Sequence, residues 1–124
     1  KNFTLSSLRG KYVVLDFWGS WCGWCIKGIP KMKRYYDRYK RKLEIVGIDC
    51  NDTPERWLAA VEEHRLPWIN VYNPKDVPAA EDISVQYAVS GYPTKVIIGP
   101  DGLIIGKYAG EGPDFYEALH KTIK

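Results

Sequence analysis

The chain has 124 residues, of which 45% are hydrophobic and 14% aromatic, and these values are typical of one globular domain that buries a core without disulfide bonds. No apolar run approaches the length of a membrane-spanning helix, and no repeat or low-complexity segment is present. The net charge of +3 comes without a nucleic-acid-recognition motif, and three cysteines are too few for a zinc ribbon, which needs two pairs.

Positive charge is concentrated in the first third of the chain. Residues 1–42 contain 11 Lys or Arg and 2 Asp or Glu, a net charge of +9, whereas residues 43–124 contain 7 and 13, a net charge of −6. Most of the basic excess falls in residues 27–42, where it indicates either the solvated face of a helix or a surface that attracts an acidic partner. Because the chain begins at Lys1 without a methionine, we expect residues 1–124 to be a single domain trimmed from a longer precursor.

The first half of the chain predicts an extended segment, a buried strand and a helix. Residues 2–8 are predicted to end an extended segment. Residues 12–18 are a near-continuous apolar run, typical of a central strand covered on both faces, and Asp16 is its one charged interruption. From Gly23 to about Arg41 apolar residues recur at spacings of three and four, which predicts a helix with lysines and arginines on its opposite face. Pro30 lies inside this helix, so a kink is expected there.

The second half alternates strands and helices. A strand is predicted at residues 43–49, and Thr53 followed by Pro54 predicts the N-cap and first turn of a helix that ends near Arg65. The remaining predicted elements are a strand at 68–72, a loop at 73–80, a short helix at 82–88, an antiparallel hairpin of strands 94–98 and 103–108, and a last helix from 113. The inward residues are predicted to be Trp57, Leu58 and Val61 in the helix after Thr53, and Phe115, Leu119 and Ile123 in the last helix. Alternation of this kind predicts a mostly parallel sheet with helices on both faces.

Two cysteines lie where the buried strand meets the first helix. Cys22 and Cys25 are three residues apart, so in the first turn of a helix their side chains face each other and can close a disulfide. The unpaired N–H groups and the positive dipole end of the helix favour a thiolate there. A thiolate of lowered pKa beside a second thiol is typical of a dithiol–disulfide exchange centre. A static disulfide or a fortuitous pair of thiols is the structural alternative.

Several motifs together resemble the thioredoxin fold. They are Asp16-Phe17-Trp18, Trp21-Cys22-Gly23-Trp24-Cys25, Pro30, and Tyr92-Pro93-Thr94 before a later strand. Phe3-Thr4-Leu5 with Leu8-Arg9-Gly10-Lys11, and the helix and strand at residues 54–72, resemble the membrane-tethered or secreted thiol–disulfide oxidoreductases related to cytochrome c maturation, near the peroxiredoxins. The resemblance covers nearly the whole chain. It implies an α/β fold, a three-layer α/β/α sandwich whose central mixed sheet has a C-terminal antiparallel hairpin and a helix–strand insertion.

The resemblance also implies roles for the residues at the junction. Cys22, at the exposed end, would be the attacking thiolate, and Cys25, one turn deeper, would resolve the mixed disulfide. Burial in an apolar strand raises the pKa of Asp16, which suits proton transfer to and from Cys25. The alternative is a carboxylate that only reaches a polar pocket. Trp21 and Trp24 flank the nucleophile, and we expect them to form an apolar rim for a polypeptide substrate. Trp24 replaces the proline of thioredoxin, so the redox potential is not carried over.

Three further residues are candidates for the site. Pro93 is expected to form a cis peptide bond facing the disulfide, with an ordinary trans turn as the alternative. Tyr92 would then be a groove residue, because in the family the backbone before this proline pairs with the substrate strand. Asp52 is a candidate auxiliary acid where the branch has a glutamate, or else a helix-capping residue.

The sequence therefore predicts a protein thiol–disulfide oxidoreductase that exchanges a Cys22–Cys25 disulfide or dithiol with polypeptide thiols, a reductant role being slightly favoured. We expect no cofactor beyond this disulfide and no metal. The expected partners are polypeptide substrates and an upstream redox donor, not nucleic acid. By the branch resemblance the protein would be a monomer in the periplasm or another extracytoplasmic compartment, with any membrane tether in a segment outside this chain.

Two other functions stay open. A peroxiredoxin-like peroxidase usually has its nucleophile in a Pro-x-x-x-Thr-x-x-Cys setting, and nothing similar surrounds Cys22. A metal- or partner-binding module of the same fold would use the cysteines as ligands, but copper chaperones of this kind use a wider cysteine spacing and a distal histidine. Cys50 is interpreted as a buried, inert thiol, and His64 and His120 as surface or helix-face residues rather than ligands.

Overall fold

The computed structural model describes residues 5–123, which form a five-stranded sheet with helices on both faces. The strands are β1 (Tyr12–Trp18), β2 (Leu43–Asp49), β3 (Ile69–Tyr72), β4 (Thr94–Ile98) and β5 (Ile104–Ala109). The α-helices are α1 (Gly23–Tyr39), α2 (Pro54–His64), α3 (Ile83–Gln86) and α4 (Pro113–Ile123), and 3-10 helices occupy Leu5–Leu8 and Ala79–Glu81. The strand order is β3-β2-β1-β4-β5, so β1 is the central strand, as its apolar composition predicts.

The sheet is mixed rather than mostly parallel. β1 pairs with β2 and β2 with β3 in parallel, whereas β4 is antiparallel to both β1 and β5. The prediction of a mostly parallel sheet is therefore wrong, while the mixed sheet with a C-terminal antiparallel hairpin is confirmed. A parallel β4 would need a crossover back to the other end of the sheet, usually through an α-helix, and the segment between β3 and β4 contains only the four-residue α3 and a three-residue 3-10 helix. The chain therefore enters β4 at the sheet end where β3 leaves.

This antiparallel register determines where the candidate site can form. Thr94, the first residue of β4, pairs with Phe17 near the end of β1. The peptide that precedes Thr94 consequently lies at the end of the sheet where β1 leads into α1. The Tyr92–Pro93 segment and the two cysteines are about 70 residues apart in sequence, and both lie at that end of the sheet.

Two hydrophobic clusters fill the two sides of the sheet. On one side Cys25 of α1, Ala60 of α2 and Leu119 of α4 pack in a cluster that also contains Trp18. The opposite cluster is covered by less structure, chiefly Leu5 and Leu8 of the first 3-10 helix and Ile83 of α3. The predicted three-layer arrangement is confirmed, with one helical layer much thinner than the other.

Some boundaries and inward residues differ from the predictions. Leu5–Leu8 is a 3-10 helix and not an extended segment, and the rest of that predicted segment lies outside the described residues. Leu58 was predicted to be buried but is 58% exposed, because the inward stripe of α2 contains Trp57, Ala60 and Val61, at helical spacings of three and four. In α4 the predicted inward residues are confirmed: Phe115, Leu119 and Ile123 are all buried.

The other helix ends lie within a few residues of the predictions. α1 ends at Tyr39, two residues before the predicted end, and it contains Pro30, where the kink stays a prediction. α2 begins as predicted, since the Thr53 hydroxyl accepts a hydrogen bond from the Arg56 N–H. Among residues 5–123 no helix combines the length and apolar character that crossing a membrane requires.

Candidate active site

The two cysteines form a disulfide at the N-terminus of α1. Cys22 is the N-cap residue and Cys25 lies in the first turn, with the two Cα atoms 5.2 Å apart, a distance typical of a disulfide. The Cys25 N–H donates a hydrogen bond of 3.2 Å to Cys22 Sγ. Because this N–H belongs to the positive end of a 17-residue helix, the same contact would stabilise a Cys22 thiolate once the disulfide is reduced.

Cys22 is less accessible than the sequence predicts. It was expected at the exposed end of the junction, but the exposed fraction is 6% for Cys22 and 7% for Cys25. The expectation is wrong for the disulfide form, because Cys22 Sγ is bonded to Cys25 Sγ and accepts a hydrogen bond from the Cys25 N–H. The neighbouring indoles are the exposed groups, at 46% for Trp21 and 65% for Trp24.

An open groove of about 300 Å³ lies beside the disulfide. Its lining consists of Trp24, Tyr92, Pro93, Gly110 and Glu111. The Tyr92–Pro93 peptide bond is cis, which confirms the prediction for Pro93. Three of the four predicted substrate-contact residues therefore share this groove.

Trp21, the fourth predicted contact residue, is not part of that lining. Its ring packs edge-on against Tyr92, with 5.4 Å between the ring centroids. Its indole N–H donates to the Cys50 carbonyl at 2.9 Å. Trp21 thus joins the loop before Cys22 to the end of β2, and its predicted role at the rim stays a prediction.

Asp16 belongs to a buried charged cluster on the α1 side of the sheet. Its Oδ1 lies 3.6 Å from Lys95 Nζ, and the same ammonium lies 3.0 Å from Glu111 Oε1. The Tyr116 hydroxyl donates to Glu111 Oε2 at 2.9 Å. Burial raises the pKa of Asp16, and the charge of Lys95 acts in the opposite direction. The sequence predicted the raised pKa but missed Lys95, although a lysine inside the apolar strand β4 was a visible signal.

Asp52 accepts hydrogen bonds from the loop that precedes Cys22. Its Oδ2 accepts hydrogen bonds from the Ser20 N–H at 2.9 Å and from the Ser20 hydroxyl at 2.6 Å. Although burial acts to raise the pKa of Asp52, these bonds and one from the Thr53 N–H hold it below its usual range. Thr53, not Asp52, is the N-cap of α2, so the capping interpretation of Asp52 is wrong. Its role as an auxiliary acid stays a prediction.

Asp49 is a second carboxyl at this edge, and sequence analysis did not select it as a site residue. It is fully buried at the end of β2, opposite Trp18 of β1. Burial, and next the neighbouring Asp52 carboxylate, raise the pKa of Asp49 to about 8. The two carboxyls therefore differ in charge near neutral pH: Asp49 holds a proton and Asp52 is ionised.

The remaining candidates are separate from this chemistry. Cys50 is 1% exposed, and burial raises the pKa of its thiol to about 11, which agrees with an inert buried thiol. The His120 ring contacts the Tyr39 hydroxyl, and the His64 carbonyl accepts a hydrogen bond from the Lys33 ammonium. Within the described part of the chain, no three or more His, Cys, Asp or Glu residues cluster as metal ligands would.

Comparison with known proteins adds a family and several relatives. A family described as Thioredoxin-like matches residues 10–104. The thiol-disulfide oxidoreductase ResA of Bacillus cereus is 34% identical over 112 residues, which are 90% of this chain and 62% of that protein. This chain thus spans less than two thirds of the length of the curated relatives it matches.

Two solved structures are also similar over almost the whole chain. The thioredoxin domain of the thiol-disulfide oxidoreductase BVU-2223 from Bacteroides vulgatus has a TM-score of 0.84 at 31% identity, covering 97% of this chain and 84% of that one. A thiol:disulfide interchange protein DsbE from Chlorobium tepidum has a TM-score of 0.83 at 28% identity, covering 96% and 82%. The ResA and DsbE relatives confirm the predicted resemblance to the cytochrome c maturation branch.

Proposed function

Because the chain belongs to the thioredoxin-like family, we propose that it is a thiol–disulfide oxidoreductase that exchanges the Cys22–Cys25 disulfide with polypeptide thiols. One observation carries the proposal: the two cysteines are bonded at the N-terminus of α1, where the Cys25 N–H donates to Cys22 Sγ. A sulfur held by that N–H is stabilised as a thiolate, the form that attacks disulfides. The names of the ResA and BVU-2223 relatives support the same chemistry.

In the reducing direction, two exchanges complete one turnover. The Cys22 thiolate attacks a substrate disulfide, forming a Cys22–substrate bond while the second substrate sulfur leaves as a thiolate and takes a proton from water. Cys25 then loses its thiol proton to the Asp16 carboxylate and attacks Cys22 Sγ, which closes the Cys22–Cys25 disulfide and releases the first substrate sulfur. Two electrons pass from the protein dithiol to the substrate, and the raised pKa of Asp16 suits it to hold the transferred proton.

The groove beside the disulfide is suited to an extended polypeptide. Its lining combines the Trp24 ring with Pro93 and with Tyr92, whose backbone can pair with a substrate strand. We propose polypeptide thiols and disulfides as substrates and an upstream redox donor that restores the dithiol. By analogy with the ResA and DsbE relatives, the proposed location is extracytoplasmic and the favoured direction is reduction. The disulfide is the redox group, and we propose no further cofactor.

A trapping experiment tests the assignment of the two cysteines. The Cys25→Ser variant should form a stable mixed disulfide with a disulfide-containing peptide, because Cys22 can attack but nothing resolves the adduct. The Cys22→Ser variant is the matched control, and mass spectrometry after trypsin digestion locates the adduct. If Cys25→Ser forms no adduct, or if the adduct is on Cys50, the proposal is wrong.

The direction of electron flow is tested by the equilibrium potential of the cysteine pair in glutathione buffers. A value near that of thioredoxin, about −270 mV, or below it supports a reductant. A value near that of DsbA, about −120 mV, would make the protein an oxidant and overturn the favoured direction.

A further inference from the structure

A single buried ammonium is shared by two carboxylates below the cysteine pair. Lys95 is 2% exposed, and the side chains of Asp16 and Glu111 are 11% and 12% exposed. Lys95 Nζ lies 3.0 Å from Glu111 Oε1 but 3.6 Å from Asp16 Oδ1. Within residues 5–123, Asp16 Oδ1 accepts no hydrogen bond. The ammonium is therefore bound to Glu111 and only paired at longer range with Asp16.

Glu111 is held firmly in this position by three elements. β4 supplies Lys95 to one carboxylate oxygen, and α4 supplies the Tyr116 hydroxyl to the other, at 2.9 Å. α1 packs so closely that a Cβ at Gly28 would overlap the Glu111 carboxyl, so a larger residue at position 28 would displace that carboxyl. Glu111 also lines the groove beside the disulfide. Its carboxylate thus links the groove to the buried cluster.

We propose that Glu111 is a positioning residue for Asp16: by holding the Lys95 ammonium on its own side of the cluster, it keeps that ammonium from pairing fully with the Asp16 carboxylate. The inference rests on the function proposed above, in which Asp16 exchanges a proton with Cys25. An acid that must repeatedly gain and lose a proton cannot be locked in a tight ion pair, because such a pair strongly favours the ionised form. Glu111 competes for the cation and so leaves Asp16 able to take the proton.

Within residues 5–123, the charged or titratable groups that interact with Asp16 are Lys95 from β4, Glu111 from the loop between β5 and α4, and Tyr116 from α4. The Tyr116 ring in turn contacts Tyr35 of α1, and the Lys31 ammonium lies over it. On the β2 side the register partner of Asp16 is Gly47, which carries no charge. The two full charges closest to Asp16 are thus Lys95 and Glu111, and they act on its proton in opposite directions.

Because Glu111 and Lys95 act on the Asp16 proton in opposite directions, their substitutions should shift the Asp16 titration in opposite directions. A residue with only a structural role would not produce this pattern. In Glu111→Gln, Asp16 loses a repelling charge and Lys95 loses its competing partner, so Asp16 should release its proton at a lower pH, by about one pH unit. In Lys95→Gln, Asp16 loses an attracting charge and should release its proton at a higher pH. Glu111→Asp keeps the charge but withdraws it by one methylene, so its midpoint should lie between those of the wild type and Glu111→Gln.

The measurement is the NMR titration of the Asp16 side-chain carboxyl carbon in ¹³C-labelled protein. Glu117→Gln is the control, because Glu117 is exposed on α4 and its substitution removes one negative charge at a nearby position in the sequence. A Glu111→Gln midpoint that matches the wild type or the control would overturn the proposal, and so would a shift to higher pH. Should Lys95→Gln fail to fold, the order of the wild type, Glu111→Asp and Glu111→Gln decides it.

This titration does not depend on turnover. If the wild-type protein exchanges no thiols, the proposed function fails while the titration still decides whether Glu111 acts on Asp16. If exchange occurs, the rate at which Cys25 resolves a mixed disulfide gives a second readout. Its pH profile should move in the same direction as the Asp16 midpoint in each variant, and a profile that stays in place would contradict the proposal.

Discussion

The carboxyl of Asp49 should make the stability of the protein depend on pH. Asp49 is fully buried beside Asp52, and burial followed by the charge of Asp52 raises its pKa from 3.8 to about 8 in the folded protein. The folded protein therefore keeps a proton that the unfolded chain releases. The stability contributed by this group is complete below the unfolded pKa of 3.8 and is lost as the pH rises to about 8.

The magnitude follows from the width of this interval. One such group removes about 1.4 kcal/mol of the free energy of unfolding for each pH unit inside the window, so the step from pH 5 to pH 7 removes at most about 2.7 kcal/mol. Relaxation and water entry around the ionised carboxylate reduce this cost, and we expect about 2 kcal/mol. The Asp49→Asn variant cannot ionise, while its amide has nearly the size and shape of the protonated acid. The variant should therefore lack this loss.

The assay is urea unfolding of the oxidised protein at pH 5, 6, 7 and 8, followed by tryptophan fluorescence. The free energy of unfolding of the wild type relative to Asp49→Asn should fall by about 2 kcal/mol between pH 5 and pH 7. Asp76→Asn is the matched control, because Asp76 is exposed and asparagine tolerates its positive φ. Equal pH dependence of the wild type and Asp49→Asn would refute the reasoning, and so would an equal flattening in Asp76→Asn.

Two other substitutions and one labelling experiment test separate parts of the site. Asp16→Asn should slow resolution by Cys25 more than the first attack near neutral pH, by about tenfold or more in stopped-flow traces, and equal slowing of both steps would count against a proton-transfer role. In the reduced native protein a thiol reagent should label Cys22 rapidly and Cys50 only after unfolding; labelling of Cys50 as fast as Cys22 would contradict its burial and raised pKa. Ser20→Ala should lower the free energy of unfolding at pH 7 by about 1.5 kcal/mol, because the ionised Asp52 loses its hydroxyl donor. A loss below about 0.3 kcal/mol would show that this hydrogen bond contributes little.

The sequence was most informative where local patterns and burial agree. The apolar run around Asp16 predicted a central strand, and the cysteine spacing at its end predicted a helical turn that brings the sulfurs together. Thr53 and Pro54 marked the start of α2 because capping is decided by adjacent residues. Leu58 was assigned to the wrong face because α2 is short, and its apolar residues fit more than one stripe.

Residues that act through distant partners were not accessible to the same reasoning. Asp49 follows apolar residues at a strand end, where an exposed acid is the ordinary outcome, and its complete burial depends on tertiary packing that the neighbouring residues do not indicate. Glu111 lies among glycines in a loop, and nothing nearby in sequence indicates its partner. Lys95 was visible as a charge in an apolar strand, but its carboxylates come from β1 and from the β5–α4 loop. Identifying these residues as part of the site requires the pairing register of the strands, and the residue pattern within a single segment does not give that register.

That register also explains why one strand can serve both the groove and the buried acid. Pro93 reaches the cysteine edge because Thr94 pairs with Phe17, and the next pair in the ladder is Lys95 with Asp16. Alternation along the strand then places Lys95 on the same side as Ile97, facing α1 and α4, where its ammonium meets both carboxylates. A slip of one residue would turn Lys95 to the opposite side of the sheet and move Pro93 along the edge at the same time. The substrate groove and the proton-carrying cluster are therefore positioned by the same pairing of β1 with β4, so a change that shifts this pairing should alter attack and resolution together.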